Sequence, residues 1–147
     1  MTPMKLVLDT STKNVSMGIA NEKQEWLLEL NHFEEKHQQS RIIFELMEKL
    51  FRETGCSPDE IRALVVGIGP GSYTGLRVGL SFAKTWSFAR HLPLFTFDSL
   101  ELLKLTEAAE GLGSLPKVKY LPLHSAKAVE NLDQLQPIYL NDHFAEG

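Results

Sequence analysis

Two stretches hold the residues best placed to do chemistry. The first is Asp9-Thr10-Ser11-Thr12, a carboxylate followed by three hydroxyls. These groups suit contact with an anion; equally, an aspartate here caps nearby N–H groups and shapes an Asx turn. The second stretch, residues 67–79, reads GIGPGSYTGLRVG and holds five glycines and a proline. It follows the apolar run ALVV and leads into a long apolar stretch, the context of strand, glycine-rich loop and helix. Free N–H groups at a helix start form a natural anion site. Gly69-Pro70-Gly71 also supplies the freedom that any tight strand-to-helix turn needs. Both readings stand on the sequence. The loop is not a Walker A motif, because no Gly-Lys followed by Ser or Thr occurs in the chain. Nor is it the dinucleotide fingerprint, since Ser72 stands where the third glycine belongs. His32 and His37 are five apart and fall on different faces of a helix, while His91, His124 and His143 are isolated. We therefore expect no metal site, no nucleophile–base pair and no catalytic residue.

The elements that must position these groups follow from pattern. KLVLDT, NVSMGIA and EWLLEL read as three strands joined by short polar links, an antiparallel meander. Residues 34–53 have helical periodicity, with Ile42, Ile43, Leu46, Met47, Leu50 and Phe51 at spacings of three and four and Gly55 as the stop. SPDE offers Ser57 as N-cap, Pro58 at the first helical position and Glu60 closing a capping box. ALVVGIG is a buried strand, 74–90 a helix, LPLFTF a strand, and 99–109 a helix capped by Asp98. Three antiparallel strands followed by crossover helices give an α/β fold, a mixed five-stranded sheet with flanking helices. This order resembles the ribonuclease H-like or actin-like half-domain.

Composition bounds the rest. The chain has 147 residues, 43% hydrophobic and 23% charged, room for one domain or one plus a fragment. No apolar run is long enough to span a bilayer. The start MTPMKLVLDT lacks the features of a signal peptide. Cys56 is the single cysteine, which fits a reducing cytoplasm. A net charge of −4 argues against direct, backbone-driven nucleic-acid binding. After Glu110 the chain changes character: GLGSLPK is a hinge, VKYLPL and LQPIYL are short strand candidates, and AKAVENLDQL between them is a helix candidate. Residues 1–110 thus form the domain, with 111–147 too short for a core of its own.

Both long helices carry more apolar surface than one sheet covers. Gly75, Gly79 and Ala83 are four apart and form one small-residue stripe, which invites close approach by the sheet or by another helix. We expect Gly79 and Ala83 to face a partner. On the first helix, Phe44 and Phe51 share a face, with Leu46 and Met47 around from it. Phe44, Met47 and Phe51, flanked by Glu45, Glu48 and Arg52, form the pattern of a docking site with a polar rim.

These residues carry a family resemblance. Gly69, Pro70, Gly71, Ser72, Tyr73, Thr74, Gly75, Leu76, Arg77 and Gly79 match the signature loop of the TsaB family, the non-catalytic subunit in bacterial tRNA threonylcarbamoyladenosine synthesis. LVLDTST resembles the family's first strand and turn, and Ala83-Lys84, FDSLELL and PIYL resemble later pieces. Thr85 replaces a frequent glycine, Gln38 and Gln39 stand where the family has His-Ser, and 111–147 gives room for only a short remnant of the second domain. The resemblance implies an actin-like fold and a subunit that is not itself an enzyme and carries no cofactor, with ATP and metal on partner subunits. It implies docking through the first two helices onto a TsaD-like catalytic subunit, with a TsaE-like ATPase in the full complex and a homodimer when alone. The complex would form N6-threonylcarbamoyladenosine at position 37 of tRNAs reading ANN codons, contacting tRNA only indirectly through this chain. The related TsaD holds a metal through paired histidines four apart, and LFTFDSLELL has none. In actin-like kinases and ATPases an aspartate placed like Asp9 works at the nucleotide phosphates, which leaves an actin-like nucleotide-binding enzyme as the alternative.

Overall fold

The computed structural model describes residues 3–33, 39–99, 127–131 and 135. Strands β1 (Met4–Asp9), β2 (Asn14–Asn21) and β3 (Trp26–Phe33) are followed by helix α1 (Gln39–Thr54) and a single 3-10 turn (Pro58–Glu60). Then come β4 (Ile61–Gly67), helix α2 (Tyr73–Arg90), β5 (Leu94–Phe97) and β6 (Lys127–Ala128). The sheet order is β3-β2-β1-β4-β5-β6. The meander β1–β2–β3 is antiparallel, while β4 and β5 run parallel to β1 through the crossover helices.

Alternation decides which side chains go where. Leu6 and Leu8 of β1, with Val15, Met17 and Ile19 of β2, point to the face covered by α1 and α2. They meet Ile42, Ile43, Leu46 and Leu50 from α1 and Leu80 and Ala83 from α2 in one buried cluster. The opposite face holds a smaller cluster of Val7, Val65 and Phe97. β1 and β4 are buried on both faces, which is why they read as unbroken apolar runs. The helix ends follow the expected signals. Gly55 adopts φ 74° and its N–H closes on the Phe51 carbonyl at 3.0 Å, ending α1. The Glu60 carboxylate accepts the Ser57 N–H at 3.1 Å, one arm of the expected capping box.

One expectation changes. The mixed sheet has a sixth strand, and it falls inside the stretch read as helical: Lys127 and Ala128 pair antiparallel with Thr96 and Phe95. Both are exposed, so their pairing is carried by the backbone alone and leaves no apolar pattern to read. The same segment is tied to the rest of the sheet. The Val129 N–H bonds the Leu94 carbonyl at 2.8 Å, Lys84 Nζ donates to the Leu135 carbonyl at 2.8 Å, and Leu135 enters the main cluster. The described part of the tail thus belongs to the first domain's sheet and core. The expected helix 99–109 beyond its first residue, the segment VKYLPL and the segment PIYL lie outside the described residues. Leu135→Ala should destabilise the fold by about 2 kcal/mol, the low end for a buried leucine because the site lies at the cluster's edge; a urea titration reads it as a lower midpoint with an unchanged slope.

Candidate functional site

The glycine loop is gripped from below by the end of β1. The buried Asp9 side chain is at the centre. Its Oδ2 accepts the Ser11 N–H at 3.1 Å and the Ser11 hydroxyl at 2.5 Å, the Asx turn; its Oδ1 accepts the Ser99 hydroxyl at 2.7 Å. Ser99 Oγ in turn accepts the Gly69 N–H at 2.9 Å, and the Ser99 N–H donates to the Gly69 carbonyl at 2.8 Å. The Ser11 carbonyl accepts the Ser72 N–H at 2.7 Å, and the Thr10 hydroxyl donates to the Gly75 carbonyl at 2.5 Å. Ser72 is the N-cap of α2, its side chain accepting the Gly75 N–H at 3.3 Å. Asp9, Thr10 and Ser11 therefore hold the loop and the first turn of α2 in one clasp.

The clasp explains the glycines. Gly69 precedes a cis proline, Pro70, and sits at φ 101°, a conformation only glycine adopts readily. A Cβ on Gly67 would strike the Asp9 carboxylate, one on Gly71 the Ser11 backbone, and one on Gly79 the Thr10 hydroxyl. Gly69, Gly71 and Gly75 are buried, Pro70 and Ser72 half-buried, and Thr74 and Arg77 exposed; Tyr73 opens α2. The amides of Gly69, Ser72 and Gly75 are committed to protein acceptors, so the turn reading has direct support in these bonds. Among the described residues no group of three or more His, Cys, Asp or Glu side chains is arranged to hold a metal.

The expectation that Gly79 and Ala83 face a partner is corrected. Gly79 lies under Thr10 and Ala83 is wholly buried in the main cluster, so the stripe admits the end of β1 and the sheet. The open apolar surface is on the other side of α2. There α1 and α2 enclose a groove of about 880 Å³, with Phe44, Met47 and Phe51 on one wall and Val78, Phe82 and Trp86 on the other. Ile43 is its buried floor. Phe44 is 58% exposed and meets Phe82 edge-on at 5.9 Å; Phe82 meets Trp86 edge-on at 5.7 Å, and Phe51 tilts onto Trp86 at 6.5 Å. Met47 lies between the two phenylalanines instead of around from them, being three residues after Phe44 and four before Phe51. The sequence reading gave α2 a partner face but put Gly79 and Ala83 on it in place of Val78, Phe82 and Trp86. Its signal was there, since Val78, Phe82 and Trp86 recur at spacings of four. The Arg41–Glu45 pair (2.9 Å) and the Arg52–Glu48 pair (3.3 Å) lie on α1, exposed and well solvated. Arg77 and Arg90 edge the α2 wall, with Arg90 bonded to Asp59.

Cys56 sits outside this site, at the end of α1. Burial, helped by the nearby Glu60 carboxylate, raises its thiol above the ordinary value of 9.0. The folded state therefore holds the proton more tightly than the unfolded chain. That contribution is complete below pH 9.0 and is lost as pH rises through the raised value. At pH 8 the native thiol, buried and more fully protonated, should react with iodoacetamide more slowly than in urea, read by mass spectrometry against time.

The family model of TsaD, tRNA N6-adenosine threonylcarbamoyltransferase, matches residues 33–130. The tRNA threonylcarbamoyladenosine biosynthesis protein TsaB of Bacillus subtilis is 31% identical over 99 residues, 66% of this chain and 42% of that one. TsaB of Haemophilus influenzae is 30% identical over 95 residues, 65% of this chain and 39% of that one. The solved structure of YeaZ from Pseudomonas aeruginosa superposes with a TM-score of 0.67 at 19% identity, covering 86% of this chain and 67% of that one, a likeness of fold. The chain spans about two fifths of the length of the curated TsaB relatives it matches. By the family model and these relatives together, the chain belongs to the TsaD family and, within it, to the TsaB group.

Proposed function

We propose that this chain is a non-catalytic subunit in the synthesis of N6-threonylcarbamoyladenosine on tRNA, acting in the cytoplasm by docking onto a TsaD-type catalytic subunit through the α1–α2 groove. The observation that carries the reading is the groove itself: an open, aromatic-lined cleft between two rigid helices, edged by charged side chains. Aromatic anchors seated in pockets between such elements supply most of the free energy of many interfaces. The names of the relatives support the pathway, and the TsaD family match supports the kind of partner. ATP and metal belong on the partners, a TsaE-like ATPase among them, and tRNA meets this chain only indirectly. Phe44, Met47 and Phe51 are the docking residues on α1. The signature loop, Gly69 to Gly75, supports α2 from beneath, and Arg77 stands at the edge of the groove. A second copy of the chain takes the same groove when the TsaD-type protein is absent.

Isothermal titration of the purified chain with a TsaD-type protein tests this, alongside tRNA threonylcarbamoylation assayed with and without the chain. Saturable binding and modification that needs the chain are expected. Modification that proceeds equally without it, or ATP turnover by the chain alone that disappears in Asp9→Ala, would favour the actin-like enzyme instead.

A further inference from the structure

We infer that Phe82 of α2 is a positioning residue for the Phe44 anchor on α1, holding that ring in a set orientation before any partner arrives. The inference deepens the docking proposal, and its affinity arm rests on that proposal. Four rings form one series that crosses between the helices twice. Phe44 of α1 meets Phe82 of α2, Phe82 meets Trp86 one turn along the same helix, and Trp86 meets Phe51 back on α1. Phe82 is the ring with two near-perpendicular contacts, at 83° to Phe44 and 87° to Trp86, while Trp86 and Phe51 are tilted at 60°. An edge-on pair sets the hydrogens of one ring against the face of the other, so it fixes direction as well as distance.

The two partners of the Phe44–Phe82 contact are not equally supported. Phe82 is half-buried and backed by Trp86, and its backbone is seated on the sheet. Three residues earlier Gly79 lies against Thr10, and the next residue, Ala83, is wholly buried in the main cluster. Phe44 is 58% exposed, and its one ring contact among the described residues is Phe82. Without that contact an exposed ring is free to sample other staggered rotamers. A partner that needs the ring in one place must then order it on binding, which weakens the complex. An aliphatic side chain at position 82 keeps the wall apolar but offers neither a ring face nor a ring edge. Phe44 then keeps its place on α1 and loses its direction.

Phe82→Leu, with Phe82→Met as a second ring-free variant, tests this in the full chain. In the free chain, at a concentration where sedimentation shows a monomer, NMR three-bond couplings about χ1 of Phe44 should report one dominant rotamer. In Phe82→Leu they should average, while circular dichroism shows the fold intact. Calorimetric titration with a TsaD-type protein should show at least a tenfold loss of affinity for Phe82→Leu. The same change made in a Phe44→Leu chain should cost less than threefold, because the ring to be oriented is already gone. Val7→Ala, on the sheet's opposite face, loses stability away from the groove and should leave the couplings and the affinity in place. The inference is overturned if folded Phe82→Leu binds like the parent, or if its loss is the same with and without the Phe44 ring. It is overturned equally if the Phe44 couplings do not change, or if Val7→Ala changes them as much. Unfolding of both ring-free variants would overturn it too, since the ring would then serve the monomer's core. If the parent itself does not bind, the docking proposal has failed, and the couplings decide the positioning on their own.

Discussion

Phe44→Asp and Met47→Asp, made singly, should each weaken binding to a TsaD-type protein by about 30- to 1000-fold, the range of about 2–4 kcal/mol for a central interface residue, while the monomer stays folded. Phe44 is more than half exposed in the chain alone, so its contacts contribute little to the fold, and an aspartate there stays solvated. In a complex the same carboxylate would be stripped of water against apolar rings. Met47 is half-buried between Phe44 and Phe51, so its replacement should also cost some stability. Comparing the two variants therefore separates docking from folding. Calorimetric titration reads the affinity and a thermal melt reads the fold. Wild-type affinity in folded Phe44→Asp would move the interface away from this groove. An unfolded Phe44→Asp would mean that the exposed ring is needed by the monomer itself.

The sequence showed the frame of this site more clearly than its connections. Strand alternation in β1 and β2, the stop at Gly55 and the turn before Ser72 are local signals, each set by residues within a few positions of one another, and each appears where its spacing indicates. The small-residue stripe was equally visible, but spacing states only that Gly75, Gly79 and Ala83 share a face. Which neighbour covers that face depends on packing, and the neighbour proved to be Thr10 and the core. Asp9 could be read as the head of an Asx turn from Ser11 alone. Its second partner, Ser99, is brought in by the parallel pairing of β4 and β5, a long-range event with no local signature. β6 left still less trace, because two exposed residues can join a sheet through backbone bonds whatever their side chains.

Gly79→Leu should lower the melting temperature by about 10 °C, and the sign of the effect follows from weighing three terms. Replacing a helical glycine favours the helix by about 1 kcal/mol. Against this, the first added carbon would already occupy the place of the Thr10 hydroxyl, with the Thr10 methyl at 3.2 Å behind it. Forcing a side chain into such a space costs about 1–3 kcal/mol. Thr10 must then turn away and give up its bond to the Gly75 carbonyl, leaving its own buried hydroxyl without an acceptor at a cost of about 1–3 kcal/mol more. The net loss is about 3 kcal/mol, and at about 2–4 °C per kcal/mol for a chain of this size that gives the stated shift. Gly79→Ala combined with Thr10→Ser isolates the cause. The serine removes the methyl and lets the smaller hydroxyl shift, so the pair should recover most of what Gly79→Ala alone loses. Differential scanning calorimetry on the three variants and the parent completes the comparison. A Gly79→Leu protein that melts with the parent would mean that α2 can lift off Thr10 freely, and the close approach that accounts for this glycine would be lost.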